Sequence, residues 1–371
     1  MKEINNRYFV CPLLPKDSVQ ILNGSIAANN FCYNLISGNL FTEILPYLPV
    51  GSIDQAKLHY EDNRVKLFCN AEWRGRLLLR KFAFISENAR MFKQIKTNSS
   101  VWFYNLPYTI IFLYVLLRVF KPSVKCNLIM LDFTPQRKGL QAFSDAVEIT
   151  CINKMHGMIK LADSPLFTVE NSVCLPGVVP ANGLRYPQVA TVKKEYLISG
   201  ALGDNIAMLS MLLEVFSWLP DLTLHITGNA PDKDLVEKYT QKFGNIIYHG
   251  MVPYEEYLHI LHEIPFLLST RNPACPENQC NFPSKIIEAL LHNRIVISTL
   301  HYRQLDGVRY LEVSSDKERL KVDLQKISAM PEAELLLYAN QAETVKERFS
   351  CEVWNKAIIK IENNHQTQCR H

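Results

Sequence analysis

Several patterns that define other protein classes are missing from this sequence of 371 residues. Its ten cysteines include no C-x-x-C pair and no regular ladder of spacings, which is typical of reduced thiols rather than of a disulfide framework. The longest apolar run, at 108–117, has ten residues, about half of what a membrane-spanning helix needs. The start, MKEINNRYFVCPLL, lacks the apolar stretch of a secretory signal. We therefore expect a cytoplasmic protein.

Motifs for dinucleotides, P-loops and metals are also absent. There is no G-x-G-x-x-G followed by an acid and no G-x-x-x-x-G-K-S/T, which argues against a dehydrogenase and a P-loop enzyme. His259 and His262 are three apart but have no third ligand nearby in the sequence. The D-x-D of Asp232 and Asp234 opens a predicted helix, where acidic residues are electrostatically favoured. We expect neither a metal nor another cofactor.

Composition indicates a globular protein of two domains. Hydrophobic residues make up 48% and charged residues 20%, as in ordinary soluble domains, and the length exceeds what one core usually supports. Residues 1–180 hold 20 Lys and Arg against 13 Asp and Glu, whereas the remainder is acidic. With no nucleic-acid motif in the chain, we expect no nucleic acid as a partner.

Residues 74–96 carry much of the positive charge, interleaved with leucine and phenylalanine. This basic amphipathic pattern has two interpretations. It predicts contact with anionic lipid head groups, peripherally at the inner face of the cell membrane, or with an anionic lipid-linked substrate. Alternatively, it is the solvated face of a helix.

Strands alternate with helices along the chain, which predicts an α/β protein with parallel sheets. The turn-rich passage LPGVVPANGLRYPQVATV, at 175–192, separates two such series. We predict Rossmann-like domains at 1–180 and 190–340, and a final helix at 341–371 that packs back on the first domain. Two such sheets predict a cleft, with ligands beyond the carboxyl ends of the strands.

The segment NFPSKIIEALLHNRIVIST, at 281–299, places a lysine and a glutamate in the first turn of a predicted helix. A cap from Ser284 or Asn281 is expected there, and free helix amides favour an anion. Lys285 adds a positive charge, and Arg271 adds a planar fork suited to phosphate oxygens. Together these groups predict a diphosphate site.

Glu288 suits a different part of the same ligand. Placing a carboxylate beside a phosphate costs free energy unless the carboxylate accepts hydrogen bonds. The vicinal hydroxyls of a ribose are suitable donors. Lys285 and Glu288 therefore indicate the two ends of one nucleoside diphosphate. The alternative is a simple i,i+3 pair that stabilises the helix by a few tenths of a kcal/mol.

Residues 193–300 resemble the C-terminal half of GT-B glycosyltransferases of the family 4 type, which include bacterial capsule and exopolysaccharide transferases. The similarity rests on the order SGALG, LTLHITGN, IIYHGMVPYEEYLHIL and FLLSTRNP…FPSKIIEALLHNRIVIST, and ERFSCEVWNKAI resembles the closing helix. The resemblance implies two Rossmann-like domains, a nucleotide-sugar donor on the second and an acceptor on the first.

Carried over by position, Glu288 matches the second glutamate of the family's E-x7-E motif, which binds the donor ribose. Cys280 stands where the first glutamate is expected, and Glu277 lies three residues too far upstream. The family's Arg and Lys after the first strand are missing, since SGALGDNIAM has other residues there. The resemblance implies that Arg271 and Lys285 act in their place in catalysis. The full donor set is Gly200, Gly203, Asn205, Arg271, Ser284, Lys285 and Glu288.

On the acceptor side the signals are fewer. Asn23, Gly24 and Ser25 lie where the family has its acceptor loop, and His156 is a further candidate, although an ordinary surface histidine fits it as well. Asp132 ends the strand of MLDFTP and is a candidate for catalysis or a helix cap.

The resemblance implies a retaining, metal-independent hexosyltransferase. It would move sugar from a nucleoside diphosphate to a saccharide or lipid-linked saccharide in polysaccharide synthesis. Two alternatives stay open: a GT-B-fold nucleotide-sugar epimerase, and a nucleotide-sugar-binding protein that has lost catalysis. The missing first glutamate of the E-x7-E motif is the reason for considering the second.

Overall fold

The computed structural model describes residues 6–19, 21–22, 24–54, 58–134, 139–180 and 185–368. The chain forms two compact units, the first made of Met1–Ala181 with Phe349–His371 and the second of Asn182–Arg348. Of the final segment predicted at 341–371, residues 349–371 cluster with the first unit, whereas residues 341–348 belong to the second. Within the described ranges, none of the helices combines the length and apolarity needed to cross a bilayer.

In the part of the chain that the structure describes, the strands form two sheets of six, and neighbouring strands within each sheet are parallel. In the first unit β1 to β6 are Arg7–Cys11, Glu43–Pro46, Ser100–Tyr104, Lys125–Met130, Gly157–Lys160 and Ser172–Cys174. In the second unit β7 to β12 are Glu195–Ala201, Thr223–Asn229, Ile246–Gly250, Phe266–Ser269, Ile295–Ser298 and Leu311–Glu312.

Helices connect most of these strands. In the described residues α1 to α8 are Ile26–Ile36, Ala71–Gly75, Ala83–Gln94, Tyr108–Phe120, Leu140–Ile152, Asp204–Ala207, Leu209–Ser217 and Lys233–Lys242. The remaining helices, α9 to α15, are Tyr254–Glu263, Pro276–Cys280, Ser284–Leu291, Lys317–Ala329, Glu332–Leu335, Ala342–Phe349 and Cys351–Gln368.

The first sheet has the order β2-β1-β3-β4-β5-β6. Its central strands are buried on both faces, with Phe9 and Leu128 fully enclosed, as a parallel sheet covered by helices requires. α15 completes this core, because its buried Glu362 accepts from Arg7 Nε at 2.8 Å and from Trp102 Nε1 at 3.0 Å. A buried carboxylate with two such donors is satisfied.

The second sheet has the order β12-β11-β10-β7-β8-β9. The chain runs from β7 through β8 to β9, then returns to β10 and continues in the opposite direction to β11. Right-handed crossovers therefore put α7 and α8 on one face, and α9 and α11 on the other. This reversal decides where a ligand site can form.

Three segments differ from the sequence-based prediction. The apolar run VKLFCNAEW, at 65–73, predicts an extended segment, but it forms only a bridge between Ile44 and Val65 before α2 begins. The stretch 76–95 is not one helix, because a turn and a short 3-10 segment precede α3. The helix predicted at 341–371 is two helices, α14 and α15, which are separated at Ser350 where the backbone forms a bridge with Val179. Asn340, whose φ of 58° is left-handed, separates α14 from the elements before it.

Candidate functional site

The second sheet reverses direction between β7 and β10, which are neighbours in the sheet. Because the helix after β7 and the helix after β10 leave to opposite faces, a crevice forms at the carboxyl ends of these two strands. Ligands of open α/β sheets bind at such a switch point. Gly200 is the penultimate residue of β7, and Arg271 lies two residues after the end of β10, so two predicted donor residues lie at the ends of the strands that border the crevice.

Two glycines shape the edge beside β7. Gly200 has a φ of 111° and Gly228, at the end of β8, has a φ of 126°. A Cβ on Gly228 would lie 2.2 Å from the carbonyl oxygen of Gly200, so neither the backbone conformation nor the space there admits a side chain. Gly203 differs, because its φ of −67° is ordinary and it precedes the four-residue α6, which contains the exposed Asn205.

The loop after β10 is fastened to α6. Thr270 donates its hydroxyl to the carbonyl of Ala207 at 2.6 Å, and the Asn272 amide donates to the carbonyl of Ile206 at 3.1 Å. Between them, the Arg271 amide donates to Thr299 Oγ1 at 2.7 Å. The loop that carries Arg271 is therefore held against the C-terminal end of α6, the short helix that contains Asn205.

The start of α11 is open to an anion. Its N-cap is Pro283, and in this described segment no side chain caps the first turn. The prediction that Ser284 or Asn281 caps this helix is therefore wrong, because Ser284 is the first helical residue and Asn281 lies two residues before the N-cap. The amides of Ser284 and Lys285 have no acceptor within the helix, and they lie at the carboxyl edge because α11 follows β10.

Lys285 and Glu288 contact each other in the first turn of α11. Lys285 Nζ lies 2.6 Å from Glu288 Oε2 and 4.0 Å from the centre of the Tyr257 ring. Glu288 also accepts from Tyr254 at 3.0 Å and from Tyr257 at 2.9 Å. Both tyrosines belong to α9, which shares a face of the sheet with α11. The carboxylate is thus part of a half-buried cluster rather than of an isolated surface pair.

The tyrosines keep their protons at neutral pH. Burial, followed by the charge of Glu288, raises the pKa of both Tyr254 and Tyr257. They are therefore permanent donors to the carboxylate. A carboxylate offers about four acceptor positions, and Glu288 uses three of them, so about one remains for a ligand.

A second cluster, which the sequence did not indicate, lies beyond Glu288. The His292 ring packs against Tyr186 in a tilted arrangement, with centres 4.2 Å apart and planes at 49°, and its Nδ1 lies 2.6 Å from Nε2 of His262. Burial, with His262 nearby, lowers the pKa of His292 to about 4. The adjacent Arg294 donates to the carbonyls of Pro187 and His262, both at 2.7 Å. These groups fix residues 186–187 to the ends of α9 and α11.

The acceptor-side residues do not form one group. Asn23 lies outside the described residues. A Cβ added to Gly24 would lie 2.6 Å from a methyl of Leu14. Ser25 is the N-cap of α1, where its side chain accepts a hydrogen bond from the Ala28 amide. Gly24 and Ser25 follow β1, at the carboxyl edge of the first sheet.

Asp132 and His156 lie at opposite edges of the first sheet. Asp132 is exposed two residues after β4, at the carboxyl edge, and caps none of the described helices. His156 precedes β5, and its Nδ1 lies 3.0 Å from the amide of Cys126 near the start of β4. That is the amino edge, so His156 is separated from the other candidates.

The D-x-D of the sequence has the structural role predicted for it. Asp232 is the N-cap of α8 and accepts from the Leu235 amide at 2.9 Å, while Asp234 lies in the first turn. Both carboxylates stabilise the helix start.

Comparison with known proteins gives relatives by structure only. No family model matches the chain, and no curated protein is similar to it in sequence. The sucrose-phosphate synthase of Thermosynechococcus elongatus superposes with a TM-score of 0.66 at 12% identity, covering 98% of this chain and 99% of that one. The HepE protein of Anabaena, solved with UDP and glucose, gives 0.65 at 12%, covering 97% and 100%.

A trehalose 6-phosphate synthase of Burkholderia multivorans gives a TM-score of 0.63 at 10% identity, covering 99% of this chain and 100% of that one. Likeness at such identities shows the fold. The prediction of an α/β protein with two Rossmann-like parallel sheets in the GT-B architecture is confirmed. The more specific resemblance to the family 4 branch stays a prediction.

Proposed function

We propose that this protein transfers a sugar from a nucleoside diphosphate donor to a saccharide or lipid-linked saccharide acceptor, with retention at the anomeric carbon. The observation that carries the proposal is the Lys285–Glu288 contact in an uncapped first turn of α11, beside the switch point of the second sheet. The GT-B fold, shared with sugar-transferring enzymes, supports it.

In this proposal the diphosphate binds at Arg271, Lys285 and the free amides of α11. An ammonium has three donors, and Lys285 uses one on Glu288, so two remain for phosphate oxygens. Fixed positive groups stabilise the charge that develops as the diphosphate leaves. This chemistry needs no metal ion.

Glu288 would bind the ribose through its remaining acceptor position. The two tyrosine hydroxyls hold the carboxylate still, so ribose binding loses little side-chain entropy. The bond between the anomeric carbon and the diphosphate breaks as the acceptor oxygen attacks the same face, and a diphosphate oxygen takes the acceptor proton. Asp132, exposed at the carboxyl edge of the first sheet, is our candidate for orienting the acceptor.

Calorimetric titration with UDP, GDP and ADP, each with and without its 2′-hydroxyl, tests the donor site. Wild-type protein should prefer the ribonucleotide of one base. Glu288→Ala should weaken that nucleotide roughly tenfold to hundredfold and abolish the preference over its 2′-deoxy form. Lys285→Ala should reduce turnover of the sugar donor roughly hundredfold while the donor still binds weakly.

Lys326→Ala is the matched control, because Lys326 pairs with Asp323 at the same i,i+3 spacing on α12. It should leave both measurements unchanged. Equal affinities of wild type and Glu288→Ala for every nucleotide would refute the ribose assignment. Donor binding without sugar release to any saccharide would indicate a binding protein, and conversion of the donor without an acceptor would indicate an epimerase. Either result would overturn sugar transfer.

A further inference from the structure

One face of the first sheet is covered by helices that turn apolar side chains outward. The connections from β2 to β3, from β3 to β4 and from β4 to β5 all progress in the same direction across the sheet, so right-handed crossovers place α3, α4 and α5 on the same face. On that face α3 packs on α4, and α4 packs on α5. The turn before α3 exposes Leu77 to 79% and Leu78 to 86%, and Phe82 is more than half exposed. We call this surface, with the outer sides of the three helices, the apolar face.

α4 adds a stripe to the apolar face. Tyr108, Val115 and Val119 follow one another at helical spacing, and all three are exposed, as is Phe120 at 67%. The only charged residue of this helix is Arg118. A helix that is apolar on its outer side as well as its inner side is expected in a core or against a membrane, not in water.

α5 reverses the usual arrangement of a surface helix, in which charged side chains face water and apolar side chains face the core. Its two acidic residues, Asp145 and Glu148, are buried, whereas Phe143 is 72% exposed and Val147 is exposed one turn later. A helix that only met water would place its carboxylates outside. The outer side of α5 therefore extends the apolar face.

The charge around the apolar face is predominantly positive, and the exposed Glu72 beside it is paired with Arg76 at 2.5 Å. Residues 73–131 contain ten Lys and Arg but one acid, Glu87, and that acid is buried against Arg74 at 2.7 Å. Lys81 and Lys93 are exposed beside the apolar residues. A second copy of this chain would bring the same positive charge to the interface, which is unfavourable, whereas anionic head groups would neutralise it.

We propose that the apolar face binds the surface of an anionic lipid bilayer, with Leu77, Leu78 and Phe120 inserted among the acyl chains and the surrounding lysines and arginines on head groups. Apolar burial and electrostatic attraction add together in this mode of binding. The proposal does not depend on the donor site, and it moves the expected membrane contact from a single basic helix to three helices. Arg74, part of the predicted basic stretch, does not take part because it is buried.

Vesicle flotation tests the proposal with the full chain. Wild-type protein should float with vesicles of phosphatidylcholine mixed with phosphatidylglycerol, should not float with phosphatidylcholine alone, and should detach as salt increases. Leu77→Ser with Leu78→Ser should lower partitioning roughly tenfold or more. Lys81→Glu with Lys93→Glu should weaken it on anionic vesicles only.

Met251→Ser with Leu337→Ser is the matched control, because these residues of the second unit are also exposed, Met251 to 79%. It should float like wild type. The leucines lie in an exposed turn, so the fold should survive, as a thermal melt will check. Failure of wild type to float, or flotation that the leucine variant leaves intact, would overturn the proposal. So would a dimer in sedimentation velocity that this variant abolishes, which would assign the face to a second copy.

Discussion

Lys285 donates to Glu288 at 2.6 Å while its ammonium lies 4.0 Å from the centre of the Tyr257 ring. A cation over an aromatic face is attracted to it, so the lysine is positioned by α9 as well as by its own helix. The geometry of the Lys285–Glu288 pair is therefore set by tertiary packing and not by the helix alone. It depends on the packing of α9 against α11.

Tyr257→Phe should reduce the free energy of unfolding by about 1.5–3 kcal/mol, because it deletes a buried hydrogen bond to a charged group but keeps the ring beneath Lys285. Urea denaturation measures the change. Tyr196→Phe is the control, since the buried Tyr196 hydroxyl has no hydrogen-bond partner among the described residues, and its removal should be neutral or stabilising. Equal losses in the two variants would contradict the role given to the Tyr257 hydroxyl.

Arg74→Ala should destabilise the first unit by about 3–5 kcal/mol, because it leaves the buried Glu87 without its cation. The guanidinium makes two 2.7 Å contacts with that carboxylate. Arg76→Ala removes the exposed pair with Glu72 and should cost less than about 1 kcal/mol. Denaturant titration of both variants compares them. A small loss for Arg74→Ala would show that water reaches this pair.

His292 should make stability fall with acidity. Its pKa of about 4 in the folded protein lies below the ordinary 6.5, so the unfolded chain binds the proton first as pH falls. The free energy of unfolding should drop by up to roughly 3 kcal/mol between those two pH values. His292→Gln should flatten this part of the profile, measured by urea denaturation at a series of pH values. A profile with an unchanged slope would reject the assignment.

Gly228→Ala should destabilise the second unit by more than about 2 kcal/mol, because the new methyl would meet the Gly200 carbonyl with the backbone at a positive φ. Gly244→Ala is the control, since a Cβ there meets open space, and it should change stability by less than about 1 kcal/mol. Thermal unfolding of both proteins checks this. Similar melting points would show that the strand ends can move apart.

The second sheet was predictable because its strands and helices alternate with clear periods. EYLISG, LTLHITG and PFLLST are short apolar runs between helical patterns, and all three are strands of the sheet. β5, β6 and β12 were not predicted, because strands of four, three and two residues are too short to show a clear period.

The surroundings of Glu288 could not be predicted from its own segment. Tyr257 lies 31 residues earlier, and it reaches Glu288 only because the chain reverses direction in the sheet and puts α9 and α11 on one face. The paired tyrosines of YEEY were visible as a pattern but had no assigned partner. Arg74 shows the same limit, since a buried partner thirteen residues away turns an apparent surface charge into part of the core.

α15 gives the first unit an unusual order of assembly. Trp354 is fully buried, and its indole donates to the Gly177 carbonyl at 2.7 Å, while Glu362 holds Arg7 and Trp102. During translation the residues that contact α15 leave the ribosome first, residues 182–348 leave next, and α15 leaves last. The first half must therefore wait with its core incomplete while the second unit is made, and during that interval it is the part most exposed to chaperones and proteases.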